Sequence, residues 1–257
     1  MTDSPTRYWE ELTTTGLAAL DTGRVIAVLP LGAIEQHGPH LPLSTDRAIA
    51  DGVLARVVEL LPDAVPALIL PTQPVGLSTE HGAFPGTLTA GPGTLLNLWT
   101  EIGASVARAG IRKVVLFNSH GGQSKLAGLV AQQLRSQHGL LAVDHNCYRI
   151  WRDSPLFSEA ERRDGIHGGG IETSIMLALD PGNVRLEAAR SFEAAAAGRA
   201  VPFAWEIQDL NPAGALGDAS DADGERGRAL IDAAARQFVD LLVEIDRLDP
   251  DVVLKDG

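Results

Sequence analysis

The chain has one cysteine, no long apolar run and few basic residues, and each shortage excludes a class of protein. Its single cysteine, Cys147, excludes an intrachain disulfide framework and a zinc site built from thiolates. No apolar run approaches the roughly 18 residues that a membrane helix needs. The first eleven residues contain neither a cationic start nor an apolar stretch. We therefore expect a cytoplasmic protein that makes no contact with a membrane.

The shortage of basic residues bears on the partners of the protein. Lys and Arg number 21 against 33 Asp and Glu, which gives a formal net charge of -12, and no basic run occurs anywhere. Such a charge repels a phosphate backbone, so nucleic acid is not an expected partner. Hydrophobic residues make up 45% of the chain, enough for a sizeable core, and no linker or repeat divides it. We predict one domain over residues 1–257.

Short apolar runs alternate along the chain with segments whose apolar residues recur at helical spacing. The runs predict strands over 25–29, 67–70, 113–117 and 140–143. The helical spacing predicts helices over 46–61, 94–109, 123–138, 171–179 and 224–248. An irregular stretch is expected over 148–170, and an alanine-rich stretch leads up to Val201. Because strand and helix alternate, the sequence predicts an α/β fold, a three-layer α/β/α sandwich around a mainly parallel sheet.

Side chains that bind metals follow four successive predicted strands, in loops rich in glycine or proline. In chain order they are Glu35, His37, His40, Asp46, Glu80, His81, His120, His167 and Glu172. The loops at the carboxyl ends of parallel strands meet at one edge of the sheet, so we expect these side chains to converge there. Five of the seven histidines lie in these loops. Histidines scattered through a core would not be distributed in this way.

Imidazole and carboxylate ligands without a thiolate favour zinc, manganese or iron. Glu35 and His37 are two residues apart, so in an extended loop both side chains point to the same side. Asp46 has two oxygens that can bridge two cations, and paired cations about 3.5 to 4 Å apart form a hydrolytic site. Taken singly, Asp46 is as readily a helix N-cap, and Glu172 is a common kind of residue at a helix N-terminus. The combination predicts a site for two divalent ions.

The same segments resemble the creatininase (creatinine amidohydrolase) family. The matching blocks are 30–46, 76–81 with 84–87, 118–122 and 167–174, followed by 217–218 with 224–231 at the entry to the last predicted helix. They occur in order and span nearly the whole chain. The resemblance implies the creatininase-like α/β fold, a two-metal amidohydrolase and a homo-oligomer, with a hexamer as one form.

The resemblance also implies a ligand for each metal position. Glu35, Asp46 and His120 would hold one ion, and His37 and Asp46 would hold the other together with a second carboxylate. In creatininase that carboxylate lies two residues after the histidine of the third block, where this chain has Gly122. Glu172 is the predicted replacement. The expected metals are zinc, manganese or both, with iron as a third choice.

The catalytic and substrate-binding residues follow from the same blocks. His167 lies in the block that carries a catalytic histidine in the family, and an imidazole that titrates near neutrality suits a general acid for the leaving nitrogen. Glu172 is assigned a catalytic role beside it. The predicted substrate-binding residues are Ser78, Glu80, His81, Gly121 and Gly122. The predicted reaction is hydrolysis of a non-peptide or cyclic amide C–N bond in a small molecule, creatinine-like, formamide or lactam, by water that two metals activate.

Other functions remain open on the sequence. A peptidase-like member of the same family and a non-catalytic metal- or small-molecule-binding homologue would share these motifs. The hypothesis of a serine hydrolase that uses Ser119 as its nucleophile is weak, because the Gly-x-Ser-x-Gly turn is absent. A phosphate- or nucleotide-binding module would use the glycines at the strand-to-helix turns, but there is no Gly-Lys-Ser/Thr loop.

Overall fold

A computed structural model of the protein describes residues 6–194 and 203–255. The predicted domain of residues 1–257 extends beyond these ranges, and most of the alanine-rich stretch before Val201 lies outside them. Within these ranges, no helix combines the length and the apolar character needed to cross a bilayer.

In the described ranges, the central sheet has four parallel strands in the order β2-β1-β3-β4. They are β1 (Ile26–Leu31), β2 (Ala67–Ile69), β3 (Lys113–Asn118) and β4 (Leu141–Asn146). In register, Ile26 pairs with Ala67 and with Lys113, and Lys113 pairs with Leu141. A separate antiparallel pair consists of β5 (Ser191–Phe192) and β6 (Gly217–Asp218).

Three of the predicted strand ends fall short, and the smallest difference is in β3, which ends one residue later than predicted, at Asn118. β1 continues through Pro30 to Leu31, because the Pro30 carbonyl accepts a hydrogen bond from the Gln73 amide at 2.9 Å although proline has no N–H to donate. β4 continues to Asn146, which stays in register with Asn118 of β3. The extensions carry both strands further towards the edge of the sheet where the predicted site residues lie.

In the described residues, α-helices precede, connect and follow the strands of the main sheet. They are α1 (Thr14–Ala18), α2 (Thr45–Leu60), α3 (Pro92–Arg108), α4 (Ser124–His138), α5 (Glu159–Asp164), α6 (Gly170–Leu179), α7 (Ile207–Leu210), α8 (Gly224–Arg247) and α9 (Pro250–Val253). Short 3-10 helices are Trp9–Glu11, Thr79–His81, Gly121–Gln123, Cys147–Asp153, Pro181–Asn183, Leu186–Ala188 and Ala219–Asp221.

The prediction of an irregular stretch over 148–170 is wrong in part. A 3-10 helix covers Cys147–Asp153, and Ser158 caps α5 by accepting a hydrogen bond from the Glu161 amide at 3.1 Å. The indole of Trp151 in this stretch is buried and donates to the Leu230 carbonyl of α8 at 3.4 Å. Contacts with a remote helix order the segment, and local periodicity does not report them.

Apolar side chains cover both faces of the sheet. Ile26 and Val28 of β1 pack in the cluster that includes residues of α2, α6 and α8, whereas Ala27 and Leu29 pack in the cluster that includes residues of α3 and α4. The alternation follows from the two-residue period of a strand. Strands buried on both faces are typical of parallel sheets covered by helices, and the predicted three-layer sandwich is confirmed.

Candidate metal centre

Asp46 lies in the first turn of α2, with each carboxylate oxygen facing a different histidine. Its Oδ1 is 3.5 Å from Nε2 of His37, and its Oδ2 is 3.3 Å from Nδ1 of His120. The side chain is buried, and Ser44 holds the N-cap position, so Asp46 does not cap the helix. A carboxylate whose two oxygens face separate imidazoles is suited to bridging two cations.

Glu35 completes one side of this cluster and is fully buried. Its Oε2 lies 3.3 Å from Nε2 of His120, and its Oε1 lies 3.4 Å from Nε2 of His81 and 3.7 Å from Nδ1 of His167. Burial raises the pKa of the Glu35 carboxyl to about 8, although the nearby His120 lowers it. A buried carboxylate of this kind is costly unless a cation or a proton neutralises it.

The cluster contains buried polar atoms that have no hydrogen-bond partner among the described residues. They are both carboxylate oxygens of Glu35, Nε2 of His37 and Oδ2 of Asp46. Buried polar atoms are normally partnered, so several unpartnered ligand atoms in one place indicate a bound ion. The donor set of carboxylate oxygens and imidazole nitrogens is one that zinc and manganese accept.

Three groups of side chains in the described residues bring one ligand atom each to within 4.8 Å of one another. The groups are Glu35, Asp46 and His120; His37, Asp46 and Glu172; and Glu35, His37 and His167. Ligands bound at about 2.0 to 2.2 Å from one ion lie within such a distance of each other. The first two groups are the two ligand sets that the family resemblance implies, and they share Asp46. The residues therefore fit a pair of divalent cations.

The carboxylates of the cluster favour the protonated forms of His37 and His120 when no cation is bound. Burial opposes the charge of His37 and of His120, but the neighbouring carboxylates outweigh it and raise the pKa of each imidazole to about 10. Burial raises the pKa of Asp46, but His37 and His120 hold it well below its usual range. Because metals bind neutral imidazole, a cation has to displace protons when it binds here.

Glu172, the predicted replacement for the missing ligand at Gly122, lies in the first turn of α6. Its Oε2 is 3.9 Å from Nε2 of His37 and accepts a hydrogen bond from the Gly168 amide at 2.6 Å. Gly168 has a positive φ of 62°, and a Cβ there would lie 3.1 Å from the His37 carbonyl oxygen. Glycine at this position therefore lets the segment that holds Glu172 approach the His37 loop.

Gln36 belongs to the site, although it was not among the residues predicted from the sequence. Its side-chain amide donates to the Gly214 carbonyl at 2.8 Å and lies 2.7 Å from Nδ1 of His81, while its Oε1 accepts from the Gly38 amide at 3.0 Å. Its backbone carbonyl lies 2.7 Å from Nε2 of His167. Gln36 thus orients two imidazoles, and its position between two predicted ligands was the available signal.

The predicted substrate-binding residues differ in how deeply they are buried. Ser78 is fully buried, with its hydroxyl oxygen 3.5 Å from Nε2 of His120, and His81 is buried within the cluster. Gly121 and Gly122 are exposed, and Oε1 of Glu80 lies 3.6 Å from Nε2 of His120. Ser78, Glu80 and His81 therefore contact the predicted ligands directly. Their roles towards a substrate stay predictions.

Ser119, the alternative nucleophile, has no base. It is buried, and its hydroxyl donates to the Asp46 carbonyl at 2.8 Å and lies 3.2 Å from the Leu31 carbonyl. No imidazole is among its hydrogen-bond partners in the described ranges, so the geometry opposes a serine hydrolase. His40 belongs to none of the three groups of candidate ligands in the described residues; its Nε2 lies 2.9 Å from the Thr173 hydroxyl and its ring stacks on Phe192 at 5.4 Å.

Glu80 fills the space that a side chain at position 122 would take. A Cβ on Gly122 would overlap Oε1 of Glu80 and would lie 2.7 Å from Nε2 of His120. We expect Gly122→Ala to displace Glu80, to press on His120 and to lower zinc affinity by about tenfold, a usual effect of disturbing the groups that orient a ligand. Competition with a chromophoric chelator measures this affinity.

Gly121→Ala is the matched control, because nothing lies within 4 Å of a Cβ at that position. This variant should bind zinc like the native protein. Equal zinc affinities of the two alanine variants would show that the space at position 122 is not confined by Glu80 and His120.

The fold and the cluster together define a class: an α/β protein with a candidate site for two cations at the carboxyl edge of a parallel sheet. A family model described as "Creatininase: Creatinine amidohydrolase" matches residues 10–242. The chain belongs to the creatininase family of hydrolases, and the resemblance of its sequence blocks is thereby confirmed.

Individual relatives cover most of the chain. The mycofactocin precursor peptide peptidase of Mycobacterium tuberculosis (strain ATCC 25618 / H37Rv) is 34% identical over 222 residues, which are 82% of this chain and 83% of that protein. The creatinine amidohydrolase of Pseudomonas putida is 27% identical over 248 residues, 88% of this chain and 92% of that protein. A solved structure named "Creatininase Mn" has a TM-score of 0.79 and 26% identity, and the match covers 95% of this chain and all of that one.

Proposed function

We propose that this protein is a metal-dependent amidohydrolase that uses two divalent cations to hydrolyse a non-peptide or cyclic amide C–N bond of a small molecule. The observation that supports it most is Asp46, whose two oxygens face His37 and His120 inside a cluster of unpartnered ligand atoms. Membership of the creatininase family supports the same class of reaction.

The ligands divide into two sets around Asp46. Glu35 and His120 would hold one cation with it, and His37 and Glu172 would hold the other. When bound, the cations, zinc or manganese with iron as a third choice, polarise the amide carbonyl and make water a nucleophile near neutral pH. The side chains of the protein fix where the substrate and the water lie.

His167 is placed to move the proton that the leaving nitrogen needs. Its Nε2 is held by the Gln36 carbonyl at 2.7 Å, and its Nδ1 faces the cluster, 3.7 Å from Oε1 of Glu35. The ring is also fixed between His37 and His81, with a centroid separation of 4.1 Å on each side. As the C–O bond forms and the C–N bond breaks, Nδ1 takes the proton of the attacking water and passes it to nitrogen.

A peptide amide is the second candidate substrate. The relative with 34% identity is named a peptidase, and its match covers 82% of this chain. The centre described above does not distinguish a peptide bond from another amide, because it acts on the carbonyl and the nitrogen alone. Hydrolysis of short peptides in preference to cyclic amides and formamides would favour this candidate.

The experiment measures the metal content of the protein and then the range of amides that it hydrolyses. Protein purified without chelator is analysed for metals and then tested on creatinine, hydantoins, lactams, formamides and short peptides. We expect about two equivalents of zinc or manganese per chain and a hydrolysis that a chelator stops and added metal restores. Chelator-resistant hydrolysis would contradict the mechanism. One ion with no hydrolysis on the whole panel would favour the non-catalytic homologue.

The expected assembly and location stay predictions. A homo-oligomer, with a hexamer as one form, a cytoplasmic location and the lack of a nucleic-acid partner follow from the sequence and the family resemblance. Light scattering of the purified protein measures the number of chains.

A further inference from the structure

A small cavity of about 80 Å³ adjoins the metal centre and contains cationic side chains that the proposed hydrolysis does not use. Gly121 and Glu172 line it on the side of the centre, and Arg152 and Arg162 contribute to its wall. We call this cavity the arginine pocket. A group bound in it would lie beside Glu172, one of the predicted metal ligands, so the pocket belongs to the surroundings of the reacting bond.

Arg162 has an unused hydrogen-bond donor here. Its Nε is buried and has no hydrogen-bond partner among the described residues, while its Nη1 donates a long hydrogen bond of 3.4 Å to the Arg152 carbonyl. In residues 6–194 and 203–255, neither Arg162 nor Arg152 forms an ion pair, whereas the adjacent Arg163 pairs with Asp164 at 2.9 Å. A buried N–H without an acceptor is costly, and the Arg162 guanidinium therefore has hydrogen-bonding capacity that the described residues leave unused.

The other walls of the arginine pocket already have partners for their polar atoms. The Tyr148 hydroxyl lies 2.6 Å from the Ser124 hydroxyl, and the Trp151 indole donates to the Leu230 carbonyl. These rings therefore shape the pocket without competing for its occupant. A guanidinium is a planar donor that matches the two oxygens of a carboxylate.

We propose that the arginine pocket binds a carboxylate of the substrate, close to the amide bond that is hydrolysed. The inference rests on the proposed function, because its position beside the metal centre is what makes the bound anion part of a substrate. The pocket of about 80 Å³ exceeds the roughly 10 to 15 Å³ of cavity that a single water molecule requires, so it has room for a carboxylate group. The substrate class is an amide whose acid group lies within a few bonds of the scissile C–N bond, such as an N-acyl amino acid or the end of a peptide.

The test compares two ligands that differ only in this group, N-acetylglycine and N-acetylglycinamide. Isothermal titration measures their dissociation constants for the zinc-loaded protein, for Arg162→Gln and for Arg163→Gln. The native protein and Arg163→Gln should bind the acid at least about tenfold more tightly than the amide. In Arg162→Gln the preference should fall below about threefold. Zinc can bind the acid in all three proteins. The quantity that tests the proposal is therefore the difference in acid preference between Arg162→Gln and the native protein.

An acid preference in Arg162→Gln equal to that of the native protein would overturn the proposal, and so would equal binding of the two ligands by the native protein. Arg152→Gln is the second variant, since Arg152 is exposed and its replacement should not disturb folding. If Arg162→Gln does not fold, a loss of preference in Arg152→Gln supports the proposal, and an unchanged preference overturns it.

Hydrolysis separates this inference from the proposed function. Short peptide acids and their C-terminal amides are assayed with the same proteins, and Arg162→Gln should raise KM for the acids with little change in kcat. Hydrolysis of acids and amides that is indifferent to Arg162 would contradict the arginine pocket alone. An Arg162-dependent preference in binding, without hydrolysis of any amide on the panel, would contradict the proposed function alone.

Discussion

Replacement of Asp46 by alanine is expected to remove both cations and to lower the rate of hydrolysis by at least about a thousandfold. The reason is geometric, because one carboxylate oxygen faces His37 and the other faces His120, so a single truncation takes a ligand from both positions. Elemental analysis of the purified variant measures the metal content. The rate is measured on whichever amide of the panel the native protein hydrolyses fastest.

Asp51→Ala is the control for this variant, since Asp51 lies on the same helix and its side chain is partly exposed. Its carboxylate pairs with Arg47 at 2.8 Å and accepts a hydrogen bond from Thr72, away from the centre. This control should keep its metal and its activity. Full activity in an Asp46→Ala protein that contains no metal would contradict the two-cation mechanism.

His167→Ala is expected to keep both cations and to lose turnover by about 10² to 10⁴-fold, the usual contribution of a general acid or base. His167 belongs to neither of the two ligand sets that share Asp46, and its Nδ1 faces the cluster where a leaving nitrogen would lie. Metal content and kcat are measured on the same preparation, so that a loss of metal and a loss of proton transfer are distinguished.

His138→Ala is the control, because His138 is the last residue of α4 and is exposed. It should leave both quantities unchanged. Unchanged turnover in His167→Ala would remove the catalytic role. Loss of a cation in His167→Ala would instead make His167 a ligand, which its grouping with Glu35 and His37 would allow.

The layered fold could be predicted because its determinants are local. Apolar runs such as 113–117 are short and β-branched, and each is followed by a segment with helical spacing, so the parallel sheet follows from the alternation. The parts that failed depend on distant contacts. The 3-10 helix at Cys147–Asp153 is held by α8 through the Trp151 indole. α5 is held by α6 and β6, because its Glu161 accepts hydrogen bonds from the Ile171 and Asp218 amides. β5 and β6 are two-residue strands that pair across 25 residues of sequence or more.

The predicted ligands could be chosen because parallel strands bring their carboxyl ends to one edge. His120 therefore lies beside Glu35 and Asp46 although it is far from them in the chain. The sequence could not show which side chains pack around them. The role of Gln36 and the overlap of Glu80 with position 122 depend on side-chain orientations that several elements decide jointly.

The arginine pocket could not be predicted for the same reason. Arg162 and Arg163 are neighbours on a short helix, and nothing in the sequence tells which of them turns towards Glu172. Tyr148 and Trp151, which line the pocket with Arg162, come from a separate 3-10 helix.

Diffraction from metal-supplied crystals, recorded at the zinc and manganese absorption edges, tests the two-cation centre most directly. We predict two anomalous peaks on opposite sides of the Asp46 carboxylate, one beside Glu35 and His120 and the other beside His37 and Glu172. Crystals in which these side chains surround only solvent, or lie far from any anomalous peak, would contradict it.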